Sequence, residues 1–202
     1  MGMGFRRALI VGDTHVPDRA GSIPRQIVEA LNSMKPFDYV LITGDLISGD
    51  VLEELRGFGE KSYAVRGNMD SLELPDKEVI KIEGMKVGLM HGHQIRRRGD
   101  VDELTKAAVK LGVDVLVSGH THEPAIMRGA VNLLNPGSLT GAWSGGGARS
   151  PPSFLVLEAG GASIEVSLFQ LIGEVKLTRR ERVLTGPGIH PSIDLYHGFD
   201  DE

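Results

Sequence analysis

The 202-residue chain contains no cysteine. Disulfides, thiolate-held metals and cysteine nucleophiles are therefore excluded. Aromatic residues are scarce at 5%, with a single tryptophan. Apolar runs stay within six residues, whereas a membrane-crossing helix needs roughly 18 or more. The start, Met1-Gly2-Met3-Gly4-Phe5-Arg6-Arg7, leads into a short apolar run without a small-residue cleavage site. No signal peptide is expected, and a cytoplasmic location is. Basic charge is also short, with 22 Lys and Arg against 27 Asp and Glu, for a net charge of −5. That balance argues against nucleic acid or an anionic membrane as partner, and leaves a protein partner or a second copy open. What the chain does have is 41% apolar residues, 27 glycines and seven histidines. The length favours one domain with a core of its own.

Periodicity and punctuation predict the elements. Residues 6–11 read as a buried strand ending in Gly12. Ser22 is the expected N-cap of a helix running to about Ser33, with Ile23, Ile27, Val28 and Leu31 on one face. Residues 38–43 and 61–66 read as strands, with a short helix over 50–58 between them. Residues 78–82 and 86–90 form an expected hairpin. Asp100 and Glu103 begin a helix over 101–111 that Gly112 ends. A strand at 114–117 follows, then alternating strands near 125–128, 131–134, 154–157, 164–171 and 174–178, with a glycine-rich loop over 141–152. This order predicts an α/β fold whose later strands make a second sheet packed face to face on the first. Residues 1–183 form the expected single domain. Residues 184–202 form an expected tail, poorly ordered or packed on the surface, with His190 and His197 solvated.

Strand after strand ends in glycine and a metal-capable side chain: Gly12-Asp13-Thr14-His15, Gly44-Asp45, Gly67-Asn68-Met69-Asp70, His91-Gly92-His93 and Gly119-His120-Thr121-His122. In α/β sheets, function gathers beyond the carboxyl ends of strands, so five segments converge on one edge. Singly, each has a bland reading: Asp45 as a cap, Asn68 as a turn residue, a lone histidine as a surface group. Five in succession point to a metal site. The donors are carboxylate, carboxamide and imidazole, a hard-to-borderline set suited to Mn²⁺, Zn²⁺, Ni²⁺ or Fe. It is large enough for two cations sharing a carboxylate at roughly 3.5–4 Å. Spacing alone does not choose between His91 and His93.

These motifs resemble those of the calcineurin-like metallophosphoesterase superfamily. The likeness is closest to its small branch of archaeal and bacterial phosphodiesterases, which also contains the vacuolar protein sorting 29 subunit of retromer. It continues through Asn135-Pro136-Gly137-Ser138, Gly141-Ala142 and Phe169-Gln170-Leu171-Ile172-Gly173. The resemblance implies a two-sheet β-sandwich flanked by helices, in four layers αββα. It implies that Asp13, His15, Asp45 and His122 hold one metal, that Asp45 bridges, and that Asn68, His91 and His120 complete a second site. His91 is favoured as ligand over His93, which is left facing substrate, and Asp70 orients a neighbouring group. The implied cofactors are two divalent ions, Mn²⁺ foremost. The implied reaction is hydrolysis of a small phosphorylated substrate, a phosphodiester or also a phosphomonoester, by a hydroxide bridging the metals.

The chain departs from the pattern at Met69, where many superfamily members carry a histidine able to protonate the leaving oxygen. His93 is the expected substitute, and activated aryl diesters are the expected better substrates. Asn68, Arg96 and Arg97 are candidate substrate contacts, with Arg19 and Arg66 weaker ones. Met90, Leu139, Trp143 and Phe169 are assigned to packing. The alternative is a non-catalytic interaction scaffold of the retromer-subunit type. In that subunit the second-motif acid and third-motif amide are altered, whereas Asp45 and Asn68 stand here.

Overall fold

Alternation along the first strand sets the layering. The computed structural model describes residues 5–145, 147, 149–160 and 163–184. In β1 (Arg6–Val11), Ala8 and Ile10 enter one buried cluster while Leu9 and Val11 enter another, as the two-residue period of a strand requires. Parallel pairing joins β1 to β2 (Phe37–Ile42) and β2 to β3 (Gly59–Ala64). The crossovers carry α1 (Arg25–Met34) and α2 (Gly49–Arg56). The second sheet begins with the antiparallel β4 (Lys77–Ile82) and β5 (Met85–Met90). After α3 (Val101–Leu111) it is completed by β6 (Val115–Val117), β7 (Ala125–Met127) and β8 (Asn132–Asn135). Then β9 (Ser153–Gly160), β10 (Ser163–Ile172) and β11 (Glu174–Leu184) return to the first sheet. The sheet orders are β11-β10-β9-β1-β2-β3 and β4-β5-β6-β8-β7.

Three buried clusters correspond to the three interfaces of four layers. Ile27 and Leu31 of α1 and Leu52 and Leu55 of α2 pack on the outer face of the first sheet. Ile10, Leu41, Val87, Val115 and Leu155 fill the space between the sheets. Leu104 and Ala108 of α3 cover the outer face of the second sheet at Leu116 and Leu133. The α/β two-sheet sandwich flanked by helices is as expected. No helix among the described residues is long and apolar enough to cross a membrane.

Several details differ from the sequence reading. The late strands do not all enter the second sheet, because β9 pairs antiparallel with β1 and satisfies the edge that β2 leaves open. The first helix is capped by Pro24 without a side-chain hydrogen bond, not by Ser22. Ser48 caps α2 by accepting the N–H of Asp50. The last strand reaches Leu184, well past 178, because its whole length pairs with β10. The expected tail beyond it, with His190 and His197, lies outside the described residues.

Candidate metal centre

The loops after β1, β2, β3, β5 and β6 meet at one edge of the sandwich, and hydrogen bonds tie them together. Asp13 N–H donates to Gly44 O at 2.9 Å, and Gly119 N–H donates to His91 O at 2.9 Å. Two glycines are required by this crowding. A Cβ on Gly119 would lie 2.5 Å from Asp13 Oδ2, and one on Gly67 would collide with the Asp45 carboxylate. Left-handed backbone recurs at the candidate ligands, with φ of 50° at Asp13, 47° at His15, 53° at Asp45, 71° at His120 and 62° at His122. Such conformations cost on the order of 1–3 kcal/mol each and persist where the surroundings impose them, often at functional sites.

Two groups of donor atoms result: Asp13, His15 and His122, and Asp45, His91 and His120. Asp45 stands between them, its Oδ2 being 3.4 Å from Nε2 of His15 and 3.4 Å from Nε2 of His91. The Nε2 atoms of His15 and His122 are 3.2 Å apart, and His122 Nε2 is 3.5 Å from Asp13 Oδ1. In the other group His120 Nδ1 and Asn68 Oδ1 each lie 3.2 Å from His91 Nε2. His91 Nδ1 bonds Thr43 O and His122 Nδ1 bonds Ala142 O, both at 2.8 Å. A carbonyl partner makes each Nδ1 a donor, so Nε2 is the nitrogen left facing the centre.

Buried together, these carboxylates and imidazoles shift one another's proton affinities. Burial pushes the Asp13 carboxyl up to about 7, with the neighbouring Asp45 charge adding to it. Asp45 is also desolvated, but His91 and the Met69 N–H outweigh that and hold it at about 2. Burial opposes a charge on His91 too, yet the two carboxylates raise it to about 9. Asp13 and Asp45 thus both favour a proton on His91. Burial lowers His15 to about 4, and burial with His91 lowers His120 to about 3. Those imidazoles stay neutral and free to ligate. Asp13 Oδ1 is buried and has no hydrogen-bond partner among the described residues. An orphaned carboxylate oxygen 3.5 Å from His122 Nε2 fits a divalent ion, and the donor set without sulfur fits Mn²⁺ or Zn²⁺.

Around this centre the remaining candidates separate. Asp70 belongs to neither donor group; its carboxylate accepts backbone N–H groups of Asp45, Leu46, Ile47 and Gly67. His93 lies at the rim, its ring 5.3 Å from that of His91, with Nδ1 unpartnered among the described residues. Burial and the charge on His91 lower its pKa. Arg96 is drawn to Glu103 at 3.7 Å, and Arg97 is exposed. The third arginine of the run reaches inward instead: Arg98 Nη1 donates to His120 O at 2.7 Å. Arg66 pairs with Asp76. Met90 and Leu139 are buried, and Phe169 stacks on Phe154. Trp143, however, is not a packing residue. It is 40% exposed, with the Arg19 guanidinium 4.2 Å from its ring centroid. It follows Ala142, whose carbonyl is committed to His122, and its side chain is left partly in solvent. The carbonyls of Thr43 and Ala142 carry no sequence signal, because any residue supplies one.

Comparison with known proteins finds relatives in sequence and in fold. A protein of Methanothermobacter thermautotrophicus described as "probable metallophosphoesterase" is 37% identical over 165 residues, covering 80% of this chain and 90% of that one. Vacuolar protein sorting 29 of Cryptosporidium parvum superposes with a TM-score of 0.84 at 29% identity, covering 90% of this chain and 99% of that one. Wild-type vacuolar protein sorting 29 of Entamoeba histolytica, solved in complex with zinc, gives 0.80 at 38% identity, covering 88% and 98%. Residues 7–161 match the calcineurin-like phosphoesterase superfamily domain, and the chain belongs to that family.

Proposed function

We propose that the chain is a metal-dependent phosphoesterase that hydrolyses phosphodiesters, and phosphomonoesters as a further class. The observation that carries this reading is the Asp45 carboxylate oxygen 3.4 Å from an imidazole of each donor group. Asp13, His15, Asp45 and His122 would hold one divalent ion, and Asp45, Asn68, His91 and His120 a second, with Mn²⁺ the first choice. Bound there, such ions lower the pKa of water toward ~7 and offset the charge on phosphoryl oxygens.

The chain's own residues do the positioning. Thr43 O and Ala142 O fix the tautomers and planes of His91 and His122. Asp70 holds the Asp45 loop in its left-handed turn. Asn68, exposed at the rim, offers its carboxamide to a phosphoryl oxygen. His93, with Met69 beside the centre instead of an imidazole, carries the proton for the leaving oxygen.

A second reading is an interaction scaffold, favoured by the close likeness in shape to vacuolar protein sorting 29 proteins. The completeness of the donor set, with both Asp45 and Asn68 present, supports the enzyme. One experiment decides between them. Protein stripped with chelator is reloaded with Mn²⁺, Zn²⁺ or Ni²⁺ singly and assayed on aryl mono- and diesters beside Asp45→Asn and His91→Ala. Metal-dependent turnover lost in both variants is expected. No turnover with any metal, or turnover indifferent to both substitutions, would leave the scaffold standing.

A further inference from the structure

The two ends of the centre are walled differently. At the His91–His120 end stand Arg98, His93 and Met69. The His15–His122 end is capped by Arg19 and Trp143, and each of these residues is tied directly to that end. Arg19 N–H donates to His15 O at 2.8 Å, closing the turn after β1. Trp143 follows Ala142, whose carbonyl accepts from His122 Nδ1. The pair is also tied to itself. Arg19 Nη1 donates to Trp143 O at 3.0 Å, and its guanidinium carbon stands 4.2 Å from the indole centroid.

A guanidinium laid over one face of an indole holds the ring in place and withdraws that face from solvent. Yet Trp143 keeps 40% of its surface exposed. Part of the residue therefore stays accessible with Arg19 in place. This is an unusual place for the chain's only tryptophan, since a large aromatic is normally buried for its apolar area.

Resting on the phosphoesterase reading above, we propose that Trp143, fixed by Arg19, is the subsite for a flat aromatic ester group of the substrate, the one that stays on phosphorus while the other leaves. The ring of the ester stacks on the open face of Trp143 while its phosphoryl group occupies the metal centre. Arg19 is a positioning residue for that platform, and its charge also favours the anionic diester. The subsite thus selects aromatic over alkyl phosphodiesters by binding, independently of how good a leaving group the ester carries.

Because Trp143 is the only tryptophan, its fluorescence reports the contact without turnover. Zinc-loaded protein is titrated with phenylphosphonate and with methylphosphonate, neither of which has an ester bond to cleave. Binding is followed both by tryptophan emission and by calorimetry. Phenylphosphonate is expected to change the emission and to bind about tenfold more tightly than methylphosphonate. Arg19→Met should remove most of that difference. Equal affinity of the two phosphonates, with silent emission, overturns the subsite and leaves the phosphoesterase reading intact. Calorimetry showing neither phosphonate bound overturns both. In turnover, Trp143→Ala should lower kcat/KM for bis(p-nitrophenyl) phosphate about tenfold more than for p-nitrophenyl methyl phosphate, chiefly through KM, and Trp143→Phe should restore most of it. The two esters share a leaving group, so an equal loss on both would also overturn the proposal.

Discussion

The Asp70 carboxylate holds the backbone N–H of Asp45 at 2.8 Å. The same carboxylate accepts from Leu46 at 2.7 Å, Ile47 at 2.9 Å and Gly67 at 2.8 Å. Four donors on one anion clamp two loops from different strands, and Asp45 is left with a left-handed backbone and its Oδ2 between two imidazoles. Asp70→Asn turns an amide N–H₂ toward those donors and leaves some unsatisfied. We expect a stability loss of about 2–4 kcal/mol and zinc affinity weakened about 10–100-fold. Chemical denaturation and calorimetric zinc titration check both. Full zinc affinity in a destabilised variant would separate Asp70 from the site.

Asp45→Asn keeps the shape but removes the charge that faces both donor groups. Outer partners of metal ligands are worth about 10–100-fold, so under the proposed two-ion reading the variant should lose at least about 100-fold in metal-dependent turnover. Far-ultraviolet circular dichroism should be unchanged, which distinguishes a lost ligand from a lost fold. Retention of half the activity would contradict the shared role.

Met69 is 44% exposed beside the centre, and its N–H donates to Asp45 Oδ1 at 2.8 Å. Its thioether has no proton to give. Met69→His is expected to raise turnover of alkyl diesters by about tenfold or more and to change aryl diesters little, because a nitrophenolate departs unaided. Parallel assays of the two ester classes test this. Alkyl monoesters hydrolysed by the unmodified protein as fast as aryl diesters would contradict it at once.

Acid should destabilise the metal-free protein. Between pH 6.5 and about 4 the unfolded chain takes protons at His15 and His120, which folding lowers from 6.5 to about 4 and about 3. His93 and His122, also lowered, act in the same sense. Asp13 acts oppositely, because its carboxyl is raised from 3.8 to about 7 and the folded state gains a proton the unfolded chain does not. His91, raised to about 9, acts with Asp13 near pH 6.5, where the unfolded imidazole is half-protonated, and adds nothing once both states are protonated. The unfolded chain binds the larger number of protons, so stability falls as pH falls. Melting of chelator-treated protein across this range measures it, and a flat or rising midpoint would refute it.

Much of the centre was legible because its signals are local. A glycine and a metal-capable side chain after each strand need only the rule that strand ends gather at one edge. The αL cap at Gly112 and the N-cap at Asp100 were legible for the same reason: a cap acts within one turn. Met69 was visible as a missing imidazole.

Other features depended on the packing of distant segments. His91 and His93 are two residues apart and equivalent in composition, and the close approach of the two sheets through Thr43 O draws His91 inward. Arg96, Arg97 and Arg98 are chemically identical, so the direction each takes depends on whether Glu103 or the His120 carbonyl lies within reach. Trp143 reads as core by composition, yet its loop turns it outward under Arg19. The return of β9 to the first sheet was likewise set by the open edge of β1, a hydrogen-bonding demand made by a strand more than a hundred residues earlier. Residue type and spacing select the donors and the layers. Which donor enters, and which arginine or ring faces the centre, is a matter of contacts between segments far apart in the chain.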